Sequence, residues 1–162
     1  MLGVVENAAQ DLGEPGPTDG LASWSGWLPF AVAAGEAPRT PGVYQARVGA
    51  AGPLVYVGMA GERRGQGVRG RLTVYRRGRG AVSGLGEAAL DRALADVTWL
   101  RERLERVEAG AVWRTRDWAT AALERLDLHV RWAVTVDGDA ARRLEREALD
   151  ALVDVELWNR LR

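Results

Sequence analysis

The sequence predicts an α+β fold: a small mixed or antiparallel three-stranded sheet flanked by helices, in the order β-β-α-α-α-β-α. Three observations carry this expectation. Two short β-type runs, VYQARV and LVYVG, lie on either side of the turn-forming stretch GAAGP at 49–53. Segments rich in Ala, Leu and charge at helical spacing fill the middle of the chain. A last alternating run, LHVRWAVTV, leads through Asp137-Gly138-Asp139 into an amphipathic segment.

Taken in order, residues 1–22 mix Gly, Pro, Asp and Glu with little periodic apolar content and read as a flexible leader. SWSGWLPF, from Ser23 to Phe30, is too aromatic for a solvated tail and is expected to clasp one edge of the core. Val43, Gln45 and Arg47 alternate with Tyr44, Ala46 and Val48 in the first strand, and Leu54 to Gly58 forms the second, giving an antiparallel hairpin. VRGRLTVYRR then reads as a helix despite Gly70. Residues from Glu87 onward form one long helix or two short ones, ending at Gly110 as a C-cap. Thr115 or Asp117 caps the next helix, and Leu128 to Val136 supplies the third strand. In the final helix Leu144, Ala148, Leu149, Ala151 and Leu152 form the apolar side. Residues 23–162 thus read as one domain, with a helical insertion at about 85–127.

Composition narrows the chemistry. Cysteine is absent and there is a single histidine, so thiolate sites are excluded and a bound metal would need oxygen or nitrogen ligands. No long apolar span or export-type leader occurs, which points away from membranes and to the cytoplasm. Net charge is zero, but every one of the 22 basic residues is arginine. Seven of them, Arg63, Arg64, Arg69, Arg71, Arg76, Arg77 and Arg79, face one acid, Glu62, between positions 62 and 80. Arginine forks match phosphate geometry, so this segment suits a polyanion.

Gly42-Val43-Tyr44 is followed, with eleven residues between, by Tyr56-Val57-Gly58. With its hairpin context, PGVYQARVGAAGPLVYVG resembles the opening of the GIY-YIG nuclease family. The family's next landmark, an arginine with a histidine or tyrosine four residues on, is matched by Arg71 and Tyr75. Its last helix carries a glutamate and, about twelve residues later, an asparagine after an aromatic residue; Glu147 and Trp158-Asn159 match that spacing. The chain departs from the family at Met59, where many members carry a lysine or small polar residue, and in a longer loop before Arg71.

The resemblance implies an endonuclease that uses Mg²⁺ or Mn²⁺ to hydrolyse DNA phosphodiester bonds through an activated water. Tyr56 or Tyr44 would be the general base, its pKa lowered by a cation and arginines. Arg71 would stabilise charge on phosphate, Glu147 would hold the metal, and Asn159 would orient the site or cap the terminal helix. Tyr75 completes the expected catalytic set. Glu145 competes with Glu147 but points about 160° away around the helix. Arg63, Arg64, Arg69, Arg76, Arg77 and Arg79 are the expected nucleic-acid contacts. DNA is the expected partner, with RNA left open. A non-cleaving nucleic-acid-binding module is the alternative. A protein partner or homodimer could use the 85–127 helices if Trp99, Trp113 or Trp118 is exposed, and His129 reads as structural.

Overall fold

In a computed structural model, which describes residues 15–160, four antiparallel strands form one sheet in the order β1-β4-β2-β3. The strands are β1 (Leu28–Pro29), β2 (Gly42–Val48), β3 (Leu54–Ala60) and β4 (Leu128–Val134). The helices are α1 (Phe30–Glu36), α2 (Gly67–Arg76), α3 (Gly84–Leu94), α4 (Val97–Glu108), α5 (Thr115–Glu124) and α6 (Gly138–Ala151), with a 3₁₀ turn at Arg63–Gly65. The expected three-stranded sheet is therefore corrected to four strands, and the predicted element order gains β1 and α1 at its front. Two residues of β1 are too few to show a period, and only their pairing with Val130 and His129 makes them a strand.

The sheet is covered on both sides. Tyr44, Ala46, Tyr56 and Val130 face a core completed by Val68, Leu72 and Tyr75 of α2, Leu85 and Ala89 of α3, and Leu123 of α5. On the other side Val43, Val57 and Ala133 meet Leu144, Ala148 and Leu152 from the α6 side of the sheet. Alternation in β2 therefore separates two buried faces, and even Gln45 is fully buried. Its amide is matched by Thr18 Oγ1 and by Arg131, which also pairs with Asp19. That network ties 15–22 to the sheet, correcting the expectation of a flexible leader for those residues; 1–14 lie outside the described residues. Trp27 stacks with Arg47 and Arg131, as an edge clasp should.

The 85–127 region resolves into two helices before α5 rather than one long one. Asp96 breaks them apart: its carboxylate accepts the Trp99 backbone N–H at 3.1 Å as the N-cap of α4, and pairs with Arg125. Asp117 accepts the Arg114 N–H at 2.9 Å, so it serves the start of α5 from inside the helix. Trp99 is buried, while Trp113 and Trp118 are half-buried and meet edge to face with ring centroids 5.5 Å apart. Trp99 and Trp118 build a small satellite core with Ala93 and Ala122. No helix among the described residues is long and apolar enough to cross a membrane.

Replacing Asp96 with alanine removes a cap and an ion pair together. The variant is expected to lose about 1 kcal/mol or more of stability. Urea unfolding at neutral pH checks this, and an unchanged midpoint would show that the cap contributes nothing.

Candidate active site

The hairpin register explains why the two tripeptides pair. Gly42 lies opposite Ala60, Val43 opposite Met59 and Tyr44 opposite Gly58, while Tyr56 lies opposite Ala46. Tyr44 and Tyr56 are thus diagonal neighbours on one face, with ring centroids 6.1 Å apart and planes 24° from parallel. The motif glycines are steric requirements of this arrangement. A Cβ on Gly58 would stand 2.5 Å from the Tyr44 hydroxyl, and one on Gly42 would stand 2.3 Å from the Ala133 carbonyl.

From α2, Leu72 and Tyr75 turn into the same core, carrying Arg71 to its rim. Tyr44 Oη and Tyr75 Oη are hydrogen-bonded at 2.9 Å. The Arg71 guanidinium lies 4.9 Å from the centroid of the Tyr75 ring. Gly84, at the start of α3, closes the group. A methyl there would lie 2.4 Å from Tyr75 Oη, 2.9 Å from Arg71 Nη2 and 2.9 Å from Tyr56 Oη, so the three polar atoms crowd around one point. Sequence reasoning missed Gly84, whose signal is only a glycine just after Ser83.

These residues border an open cleft of about 550 Å³ lined by Tyr44, Tyr56, Arg63, Arg71, Arg142 and Glu145, with Met59 also on its wall. Four carboxylates line the cleft, Glu62, Asp137, Asp139 and Glu145, and the expected metal ligand Glu147 is not among them. Glu147 is exposed on another surface beside Arg143, Arg146 and Asp150. At 100° per residue, Glu145 lies about 55° from the centre of the stripe made by Ala141, Leu144, Ala148 and Leu152, and Glu147 about 105°.

Burial pushes the Tyr56 phenol above its ordinary range, helped by Tyr75; Arg71 and the Tyr44 hydroxyl act in the opposite direction without prevailing. Tyr44 is likewise pushed well above its ordinary range, first by complete burial and then by Tyr75 and Tyr56. The phenols of the protein alone thus hold their protons more tightly than the expected lowering implied. Burial draws Arg71 down, but the three tyrosines more than offset it and hold the guanidinium charged. Its Nε is buried with no hydrogen-bond partner among the described residues. Burial also raises the Glu145 carboxyl, although the Met59 backbone N–H, Arg142 and Arg71 favour its charged form.

Asn159 does not cap a helix. Its side-chain amide accepts from Val57 N at 3.1 Å and donates to Val57 O at 2.7 Å, while Trp158 N donates to Val55 O at 2.6 Å. The C-terminal segment is thereby stitched to the edge of β3 on either side of Tyr56.

The arginine-rich segment does not form one face. Arg63 lines the cleft, with Arg64 beside it in the exposed 3₁₀ turn. Arg69 is spent on α1, donating to the Ala37 carbonyl at 2.6 Å. Arg76 borders a separate hollow near Phe30 and Leu128, and Arg77 and Arg79 gather with Arg116 near the start of α5. The cleft acids Glu62 and Asp137 accept the Gly138 and Ala140 N–H groups at the start of α6. Among the described residues no three acidic or histidine side chains cluster as a metal cage.

No protein-family model, curated protein or solved structure matches this chain. The site's chemistry therefore rests on its own geometry.

Because the Glu145 carboxyl is raised in the folded chain, folding favours its protonated form. The stability this gives is full below the unfolded carboxyl value and is lost as pH rises through the folded one. Glu145→Gln is therefore expected to raise Tm at neutral pH and to change it little at about pH 4. Thermal melts at both pH values test this; a lower Tm at neutral pH would refute it.

Proposed function

We propose that this chain is a divalent-metal-dependent endonuclease of the GIY-YIG type that hydrolyses phosphodiester bonds in DNA. One observation carries the reading: the Tyr75 and Tyr56 hydroxyls and the Arg71 guanidinium crowd around Gly84, with Glu145 lining the same open cleft. A structural cluster has no use for a half-buried carboxylate that burial disfavours.

The donor set fits Mg²⁺ or Mn²⁺. Such ions commonly take one or two protein carboxylates and complete their shell with water and substrate phosphate oxygens. Glu145 would supply that carboxylate. When bound, the ion would add Lewis-acid charge at a phosphate oxygen.

The chain's own groups divide the remaining work. Arg71 donates to a non-bridging phosphate oxygen and stabilises the charge that grows as water attacks phosphorus and the bond to the leaving oxygen breaks, that oxygen taking a proton from solvent as it departs. Tyr56, which lines the cleft at the sheet edge, takes the proton of that water as its phenolate. Tyr44 is fully enclosed and bonded to Tyr75, so it positions Tyr56 and Arg71 rather than meeting solvent. Arg63 and Arg142 flank the phosphate path. A cytoplasmic protein acting on DNA, alone or with a partner held by the α3–α5 region, agrees with this reading.

Cleavage of plasmid and single-stranded DNA in Mg²⁺ or Mn²⁺ tests it. Glu145→Gln and Arg71→Ala are expected to slow cutting about 10²-fold or more, and Glu147→Ala to leave it unchanged. Mg²⁺ should raise the Tm of the parent but not of Glu145→Gln. Equal cutting by parent, Glu145→Gln and Arg71→Ala would dismiss the site, and a parent that binds DNA without cutting would favour a binding module.

A raised Tyr56 pKa also sets the pH dependence. Only its deprotonated form accepts the proton, so the rate should climb about tenfold per pH unit from neutral pH upward. Tyr56→Phe should lower the rate about 10²-fold and flatten the profile; a parent rate independent of pH would remove Tyr56 from the proton-accepting role.

A further inference from the structure

A second hollow, of about 580 Å³, adjoins the first and shares Tyr56 and Glu145 with it. The two form one groove with the candidate reacting centre at their junction. Their chemistry differs. The first half carries the guanidinium groups of Arg63, Arg71 and Arg142 together with four carboxylates, of which Glu62 and Asp137 accept backbone N–H groups at the start of α6 and Asp139 pairs with Arg142. The second is walled by Ala88 of α3, Leu149 of α6 and Trp158, with Glu87, Asn159 and Arg160 at its polar margin.

The cations on this second side are already committed. Arg92 lies 4.2 Å from the centroid of the Trp158 ring and donates to the Ala88 carbonyl at 3.0 Å. Arg160 pairs with Glu87 at 3.0 Å and Asp91 at 2.7 Å. Two carboxylates, Glu87 and Glu145, also line the hollow. A phosphate entering there would meet negative charge and engaged arginines, which is unfavourable. A flat, uncharged, partly apolar group would meet an indole and aliphatic side chains, and the hollow's volume is that of a small-molecule site.

We propose that this second hollow is a nucleobase subsite: it receives one unstacked base next to the phosphate held at the Tyr56–Glu145 junction. This rests on the nuclease reading of that junction and specifies its substrate. The bases of an intact duplex are stacked and paired, so the preferred substrate is a single-stranded or frayed nucleic acid, whose bases turn outward freely. Trp158 and Leu149 are then specificity-determining residues, and the tie of Trp158 N and Asn159 to β3 holds the base wall in register with Tyr56.

The test uses the full chain in Mg²⁺ with DNA oligonucleotides of one sequence, single-stranded or fully paired, in which a single abasic residue is moved across the cleavage position. Single strands should be cut at least about tenfold faster than duplex. An abasic residue on one side of the broken bond should lower kcat/KM about tenfold, with little effect from the other side. In Leu149→Ser, with Trp158→Ala as a second variant and melting curves to verify folding, that one-sided dependence should shrink. Cutting that ignores both strandedness and abasic position overturns the subsite and leaves the nuclease reading standing. If nothing is cut, the nuclease reading fails, and the affinity of the parent for intact against one-position abasic single strands decides the subsite: equal Kd values overturn it.

Discussion

The phenol of Tyr44 crosses the bare backbone of Gly58, and the candidate site is arranged around that crossing. A buried hydroxyl costs free energy unless it is hydrogen-bonded, and here the partner is the Tyr75 hydroxyl from α2. The bond fixes the rotation of α2 against the hairpin, which in turn sets where Arg71 emerges. Gly84 then brings the start of α3 down on the same atoms with no side chain to hold it away. Close packing makes the group rigid, since an added methyl at either glycine has nowhere to go.

Rigidity of this kind has an electrostatic consequence. Burial among one another raises Tyr44 and Tyr56, while the neighbouring phenols keep the guanidinium of part-buried Arg71 charged. Glu145 stands at the boundary, half-buried and opposed by its own desolvation. On the proposed nuclease reading, an incoming cation and an incoming anion would each relieve a charge that the fold has partly stripped of water.

The C-terminal segment does a different job. β3 is an edge strand, and an edge with free N–H and C=O groups invites unwanted pairing. Asn159 and Trp158 cover those groups at Val55 and Val57 while leaving Tyr56 between them free to face the groove. Edge protection and construction of the groove wall are thus one feature, and it joins residues about a hundred positions apart in the chain.

The sequence by itself determined the local matters: the hairpin, because turn residues and β-branched runs act over a few positions; the amphipathic α6; the aromatic clasp; and the two tyrosines with Arg71 and Tyr75 as the candidate set. What lay beyond it depended on contacts between distant segments. The two-residue β1 has no periodic signal, and residues 15–22 look like a solvated leader until Thr18 and Asp19 find Gln45 and Arg131. The cluster of arginines in the sequence dispersed because a helix and two turns point neighbouring residues in different directions. Glu145 rather than Glu147 entered the cleft for a similar reason: spacing along the chain sets distance, but the angle of the helix against the sheet decides which carboxylate faces inward. Only the tertiary structure could set that angle, since it follows from packing Ala141, Leu144, Ala148 and Leu152 against a surface made by three separate strands.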